Sequence, residues 1–371
     1  MKTRNNIVHG GSFSILALVL AASSCWADSR LVGNLPRVVQ APLENLPGVD
    51  TEYGDLTAHD GARLRTVVTK PQAVEGKLPA VLFVQWLSCD TIEILPKDQS
   101  GWGKMLRRLV TESHAIVYRT EKVGVGDSQG RPCNTLDYDG ELAYHKEAYE
   151  RLAKRPDVDA NKIVVFGASI GATFAPLIAS QLPHLAGVVV WGGGARTWYE
   201  RQLAFDRRAM ELSAQDLSTI TPEMNKRAEF EWLYLQKHKT PQQIERERPD
   251  LAGVWKKIIG TEETMQYGRP RAFHWQAQQA DWAGAWSRVK SPVLVLIGQY
   301  DWYEDPRSAE LIARIVNQHT PNSAEFHIVP GINHHFNRFA DSEAAFRDKE
   351  GVPDPDGAVE LLLRWLGQRF Q

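Results

Sequence analysis

The chain has 371 residues, 43% of them hydrophobic and 24% charged, with a formal net charge of -2. That length is enough to bury a large core, as one extended α/β domain or one domain with a sizeable insertion. No basic block points to nucleic acid as a partner, and the three cysteines lack the spacing of a metal site.

The opening MKTRNNIVHGGSFSILALVLAASSCWADS sets Lys2 and Arg4 ahead of the apolar stretch Phe13 to Ala22, then small residues and Ala27. This is the arrangement of a secretory signal peptide over residues 1–27, and the apolar run is too short for a stable membrane span. Cys25 leaves lipoprotein processing as the alternative. The expected setting is secreted or periplasmic.

Next, TEYGDLTAHDGARLRTVVTKP predicts two strands about the Asp60-Gly61 turn. PAVLFVQWL follows as an apolar strand, GWGKMLRRLVTES as a helix, AIVYR as a strand, YDGELAYHKEAYERLAKR as an amphipathic helix and KIVVFG as a strand. After the strand LAGVVVWGG comes a pause. The alternation then returns with SPVLVLIG, the helix PRSAELIARIVNQ, AEFHIVPG and the terminal helix PDGAVELLLRWLGQRF. Strands that are apolar throughout and alternate with helices imply an α/β architecture, a mostly parallel sheet covered on both faces.

The pause runs from Ala195 to Val289, reads as helical and contains no good strand. The expected organisation is a core of residues 28–194 and 290–371 carrying a Trp-rich cap of residues 195–289. Seven of the twelve tryptophans fall between residues 191 and 286. Such aromatic surface either lines an apolar pocket or packs the insertion onto the sheet. Trp86, Trp191 and Trp198 are the pocket candidates. Removal of the leader leaves Cys89 and Cys133 in loops after neighbouring strands, where an oxidising compartment lets them pair; two separate buried thiols are the alternative.

VVFGASIGATFAPL, residues 164–177, contains Gly167-Ala168-Ser169-Ile170-Gly171, a G-x-S-x-G pattern. It reads as a sharp strand-to-helix turn that exposes the serine oxygen, or as a helix with Ser169 at its N-cap. A serine nucleophile needs a base, and the base needs a carboxylate to orient it. Asp301 follows PVLVLIGQY, and EFHIVPGINHHF brings His334 and His335 after the next strand. Each sits in a loop beyond a strand, at the end where open α/β sheets place their sites. Glu304 and Asp305 are further acids, and His335 is the rival base.

On these motifs the chain resembles the α/β-hydrolase superfamily, in particular the secreted bacterial serine hydrolases of its esterase or prolyl-oligopeptidase-like branch. The resemblance covers essentially the whole mature chain. It implies Ser169 as nucleophile, Asp301 as acid and His334 as base, because the family's histidine usually stands three residues after a glycine, as in Gly331-Ile332-Asn333-His334. It also implies an oxyanion hole built from the backbone N–H of Ile170 and of Trp86 or its neighbour Gln85, where Gln85-Trp86 replaces the usual His-Gly pair. RTEKVGVGDSQGRPC resembles the family's Gly-rich loop, with Gly124, Gly126, Asp127, Ser128 and Gly130 matching. It is expected to shape the floor of the site and to bring Cys133 near Cys89. With no G-K-[ST] ending it is not a phosphate loop.

The implied activity is hydrolysis of carboxylic esters through an acyl-enzyme, with no cofactor and no metal. A serine peptidase or aminopeptidase gripping a substrate amine with acids such as Glu200, Glu229 or Glu231 is the alternative, and a non-catalytic binding protein is the third reading. The expected partner is a small ester or a short peptide.

Overall fold

Eight strands hydrogen-bond into one sheet: β1 Val49–Thr57, β2 Arg63–Pro71, β3 Leu78–Val84, β4 Ile116–Thr120, β5 Val158–Ala168, β6 Gly187–Trp191, β7 Val293–Gly298 and β8 Ala324–Val329. Their order across the sheet is β1-β2-β4-β3-β5-β6-β7-β8. β2 runs antiparallel to β1 and β4, and the remaining pairs are parallel. This computed structural model describes residues 31–182, 184–213, 216–259, 265–348 and 351–371; the expected signal peptide lies outside them.

The continuous apolar runs become strands covered on both sides: every residue of β4, β6 and β7 is buried. Alternation divides β5 between two cores, with Val164, Phe166 and Ala168 facing one and Ile163 and Val165 the other. Before the insertion come α1 Gly101–Glu112, α2 Tyr138–Ala153 and α3 Gly171–Ala179. Between β6 and β7 lie α4 Trp198–Leu212, α5 Leu217–Glu231, α6 Pro241–Glu247, α7 Val254–Ile258, α8 Arg271–Gln279 and α9 Trp282–Arg288. α10 Pro306–His319, α11 Ser342–Arg347 and α12 Asp356–Phe370 complete the chain. One sheet face packs on α1 and α12 through Leu109 and Leu362, the other on α2, α3 and α10 through Leu152, Phe174 and Ile312.

This is the mixed, mostly parallel sheet and flanking helices of the α/β-hydrolase fold. The insertion departs from the expectation of helices alone. Met265–Gln266 pairs with Arg269–Pro270 across Tyr267 and Gly268, both at positive φ (51° and 72°). That backbone suits a two-residue hairpin turn. Cys89 and Cys133 form a disulfide with Cα atoms 5.9 Å apart. Among the described residues no helix is long and apolar enough to cross a membrane.

Candidate active site

The path from β5 to α3 is a turn only small neighbours permit. Ser169 sits at φ 57°, a left-handed conformation that costs an ordinary residue free energy. A Cβ on Gly167 would stand 2.4 Å from the Gly171 carbonyl oxygen, and one on Gly171 would stand 2.1 Å from that of Val84. The two glycines of the motif thus let the elbow close. The Ser169 N–H donates to the Trp191 carbonyl at 2.8 Å. Ser169 is not a helix cap: Ile170 occupies the N-cap of α3 and makes no side-chain capping bond.

Asp301 stands in the turn after β7 with its carboxylate buried. Its Oδ1 accepts the N–H groups of Tyr303 (2.9 Å) and Glu304 (3.0 Å), and its Oδ2 lies 2.7 Å from His334 Nδ1. A carboxylate held by two amides stays an acceptor, so Nδ1 carries the ring proton and Nε2 keeps its lone pair. The His334 carbonyl accepts Trp191 Nε1–H at 2.9 Å, which anchors the loop. Gly192, at φ 60°, leaves the space the pair needs, since a Cβ there would stand 2.6 Å from His334 Cε1 and 3.1 Å from Asp301 Oδ2.

The other acids and the second histidine are otherwise engaged. Glu304 pairs with Arg201 at 2.7 Å, and Asp305 with Arg196. The His335 N–H donates to Asn333 Oδ1 at 2.9 Å, and its ring lies against Tyr303. Burial, aided by nearby His334, pushes the His335 pKa down to about 4.

Ser169 and His334 line two adjoining cavities. The larger, about 470 Å³, has walls from Trp86, Trp102 and Tyr303 and carboxylates from Asp90, Glu93 and Asp98. The smaller, about 120 Å³, is closed by Leu87, Ile170, Trp198, Arg201, Phe205 and Tyr267. Trp86 thus lines the larger cavity and Trp198 the smaller. Gln85 is buried, its amide donating to the Thr120 carbonyl at 3.0 Å. Among the described residues, the Ile170 and Trp86 N–H groups donate to no backbone acceptor.

Three expectations need correction. Trp191 lines neither cavity: it is fully buried, stacked on Phe336 with ring centroids 4.0 Å apart, because the last residue of a central strand points into the packed face. The Gly-rich loop does not floor the site either. Asp127 there binds Arg65, Arg37 and the N–H groups of Val38 and Val39, and the Ser128 hydroxyl accepts the Arg65 N–H, tying the lead segment to the sheet edge. Nor do the proposed amine-gripping acids reach Ser169. Glu200 closes a capping box on α4, Glu229 pairs with Arg248, and Glu231 is buried with its carboxyl pushed well above the usual range by desolvation and then by Asp206. The carboxylates that do line the cavity, with Trp102, Phe205, Tyr267 and Tyr303, escaped sequence reasoning. Among the described residues no three acidic, histidine or cysteine side chains form a group able to hold a metal.

A family model described as X-Pro dipeptidyl-peptidase (S15 family) matches residues 60–337. An esterase from Pyrococcus furiosus superposes with a TM-score of 0.54 at 14% identity, covering 92% of this chain and 98% of that one. Acetyl xylan esterase 1 from Thermoanaerobacterium sp. gives 0.51 at 16% over 90% and 87%. The α/β hydrolase GrgF from Penicillium sp. gives 0.51 at 15% over 86% and 99%. At these identities the structural likeness establishes the fold. No curated protein matches the sequence.

Proposed function

We propose, on the premise that this chain belongs to the X-Pro dipeptidyl-peptidase (S15) family of the α/β-hydrolase superfamily and is a serine hydrolase, that it cleaves carboxylic esters with Ser169, His334 and Asp301. The observation that carries the reading is the buried Asp301–His334 hydrogen bond at 2.7 Å beside a cavity that His334 shares with Ser169.

His334 Nε2 takes the Ser169 hydroxyl proton as the oxygen attacks the ester carbonyl, and Asp301 holds the imidazolium that forms. The Ile170 N–H, with one from the loop after β3, receives the negative oxygen. The alcohol leaves with the proton from His334, and water, deprotonated by His334, hydrolyses the acyl-enzyme.

The cavity beside Ile170 suits a short acyl group, since it measures about 120 Å³ against about 470 Å³ for its neighbour. Residues 195–289 act as a cap that selects this group through Trp198 and Phe205. The disulfide and the leader-like N-terminus support export.

One observation favours a second reading, a peptidase that holds a substrate amine. Glu93 in the larger cavity is engaged by Arg37 and Tyr53. Asp98, however, accepts only the Ser100 N–H and Asp90 only the Ser88 hydroxyl among the described residues. Initial rates on short-chain, long-chain and aromatic nitrophenyl esters, against free aminoacyl and Xaa-Pro anilides, decide between the two readings, with S169A as blank. Fast ester cleavage with negligible anilide cleavage supports the esterase. Equal or faster anilide cleavage moves the assignment to the peptidase.

A further inference from the structure

Four charged or titratable side chains lie buried together outside the machinery just described: Lys122 after β4, Glu141 and His145 on α2, and Arg269 in the hairpin of the insertion. Glu141 Oε1 is 3.3 Å from Lys122 Nζ, and its Oε2 is 2.8 Å from Arg269 Nη2. Burial pushes the His145 pKa down to about 4, so its ring is neutral and the cluster has two cations to one anion. Buried charge of this kind survives only where hydrogen bonds replace the lost water.

Backbone oxygens supply them, and they come from consecutive residues. Lys122 Nζ donates to the Trp86 carbonyl and, at 2.8 Å, to that of Ser88. Arg269 Nη2 and Nε donate to the Leu87 carbonyl at 2.7 and 3.0 Å, and Nη1 to that of Cys133 at 3.3 Å. The oxygens of Trp86, Leu87 and Ser88 are thus all claimed by two cations, and the Cys89–Cys133 disulfide ties the next residue to the same place.

A trans peptide is planar, so fixing a carbonyl oxygen turns the following N–H the opposite way. Lys122 on the Trp86 oxygen directs the Leu87 N–H away from the cluster. Leu87 lines both cavities that Ser169 lines, and among the described residues its N–H donates to no backbone acceptor. The preceding peptide is turned otherwise: the Gln85 oxygen lies 2.8 Å from where a Gly171 Cβ would stand, so the Trp86 N–H is directed away from the elbow.

We infer that Lys122 and Arg269 are positioning residues that clamp the loop after β3, so that the Leu87 N–H serves as the second oxyanion donor beside that of Ile170. The inference rests on the serine-hydrolase reading above. A cation on the carbonyl side also polarises the peptide, which strengthens its N–H as a donor.

The test is steady-state kinetics of K122M and R269M on the best ester, with two further readouts. The number of serines labelled by a fluorophosphonate in wild type and S169A checks the parent reading; wild type that fails to label refutes that reading and the clamp with it, whereas labelled wild type with unaffected variants refutes the clamp alone. Affinity for a trifluoromethyl ketone, whose adduct places an oxygen in the oxyanion hole, checks the clamp. The expected result is kcat lower by about 10²-fold, as for loss of one such donor, with KM changed less than about threefold and ketone affinity falling in step with kcat. Folded variants that keep kcat and ketone affinity within about threefold of wild type overturn the inference.

Should K122M fail to fold, K122R answers the same question through pH. Glu141, His145, Arg269 and Asp90 surround the Lys122 ammonium, and burial pushes its pKa down to about 8. Wild-type kcat should decline above that pH as the amine becomes the weaker donor, and K122R, whose guanidinium stays charged, should lose that decline. An alkaline limb identical in both proteins overturns the clamp.

Discussion

Replacing Gly192 with alanine isolates how much catalysis depends on the space beside His334. The added Cβ would stand 2.6 Å from His334 Cε1 and 2.7 Å from Nδ1. Carbon atoms sit comfortably at about 3.5 Å or more, so the ring must retreat by roughly 0.9 Å and its bond to Asp301 must lengthen or bend. A displacement of about 1 Å in a reacting group costs on the order of 10² in rate. Two other costs fall on stability alone: about 1–2 kcal/mol for a side chain at φ 60°, and about 1–3 kcal/mol for overpacking. G253A separates them, because Gly253 has φ 76° with nothing within 4 Å of its added Cβ. The assay is kcat with active-site titration, beside urea unfolding. G253A should lose about 1–2 kcal/mol and no activity, and G192A about 2–5 kcal/mol and about 10²-fold in kcat. A G192A protein with kcat within threefold of G253A would refute the argument, since the backbone would then have yielded in place of His334.

H334A should lower kcat/KM by about 10⁴-fold and H335A by less than about tenfold; steady-state kinetics with the reverse ranking would reassign the base. His274 supplies a pH prediction. Its Nε2–H donates to the Gln266 carbonyl at 2.8 Å, its Nδ1 accepts Trp198 Nε1–H at 3.2 Å, and burial pushes its pKa down to about 4. Between about 6.5 and about 4 the unfolded chain binds this proton and the folded one does not, so stability falls as pH falls, by up to about 3 kcal/mol. H274Q should flatten the dependence of the urea midpoint between pH 7 and pH 4.5, leaving the shares due to His145 and His335; an unchanged slope refutes the assignment. The disulfide closes a loop across a sequence separation of 44, worth about 4 kcal/mol in the chain-entropy model. C89S/C133S should lose up to that amount in urea unfolding, and free thiols in the unreduced native protein, seen by mass spectrometry, would refute the bridge.

The fold was legible because its central strands are apolar on both faces: runs as short and as rich in β-branched residues as VVVW or VLVLIG, alternating with helices, read as covered parallel strands. The order of the candidate residues was legible too, since Ser169 and Asp301 follow such strands and His334 follows the edge strand β8. Trp191 was misread because composition shows an indole without showing which way a strand residue points. The role of Gly192 was signalled by the glycine run 192–194 after β6, but only the folded chain shows which side chain needs the space. Trp102 escaped because α1 looks like any amphipathic helix, and its tryptophan reads as core until Trp86 and Phe336 are seen against it. The cluster of Lys122, Glu141 and Arg269 was illegible for a different reason: 128 positions separate Glu141 from Arg269, and a lone charge in each segment reads as a solvated surface.

That cluster also bears on how the insertion and the sheet divide the work. Arg269 belongs to the insertion yet holds the Leu87 carbonyl of the core, and Trp198 and Phe205 of α4 close the small cavity beside Ile170. In the proposed mechanism acyl selection and stabilisation of the oxyanion therefore meet at one backbone segment, residues 86–88. A change in the hairpin that moves Arg269 must alter kcat, because the donor shifts relative to the developing charge. A change confined to the faces of Trp198 or Phe205 alters which acyl groups fit while the donor stays where Lys122 holds it. W198A and F205A should accordingly shift preference among esters of different chain length with kcat for the smallest ester nearly kept, whereas R269M should slow every ester by a similar factor. A panel in which R269M changes selectivity and spares the smallest ester would place Arg269 in the pocket wall and remove it from the support of the oxyanion loop.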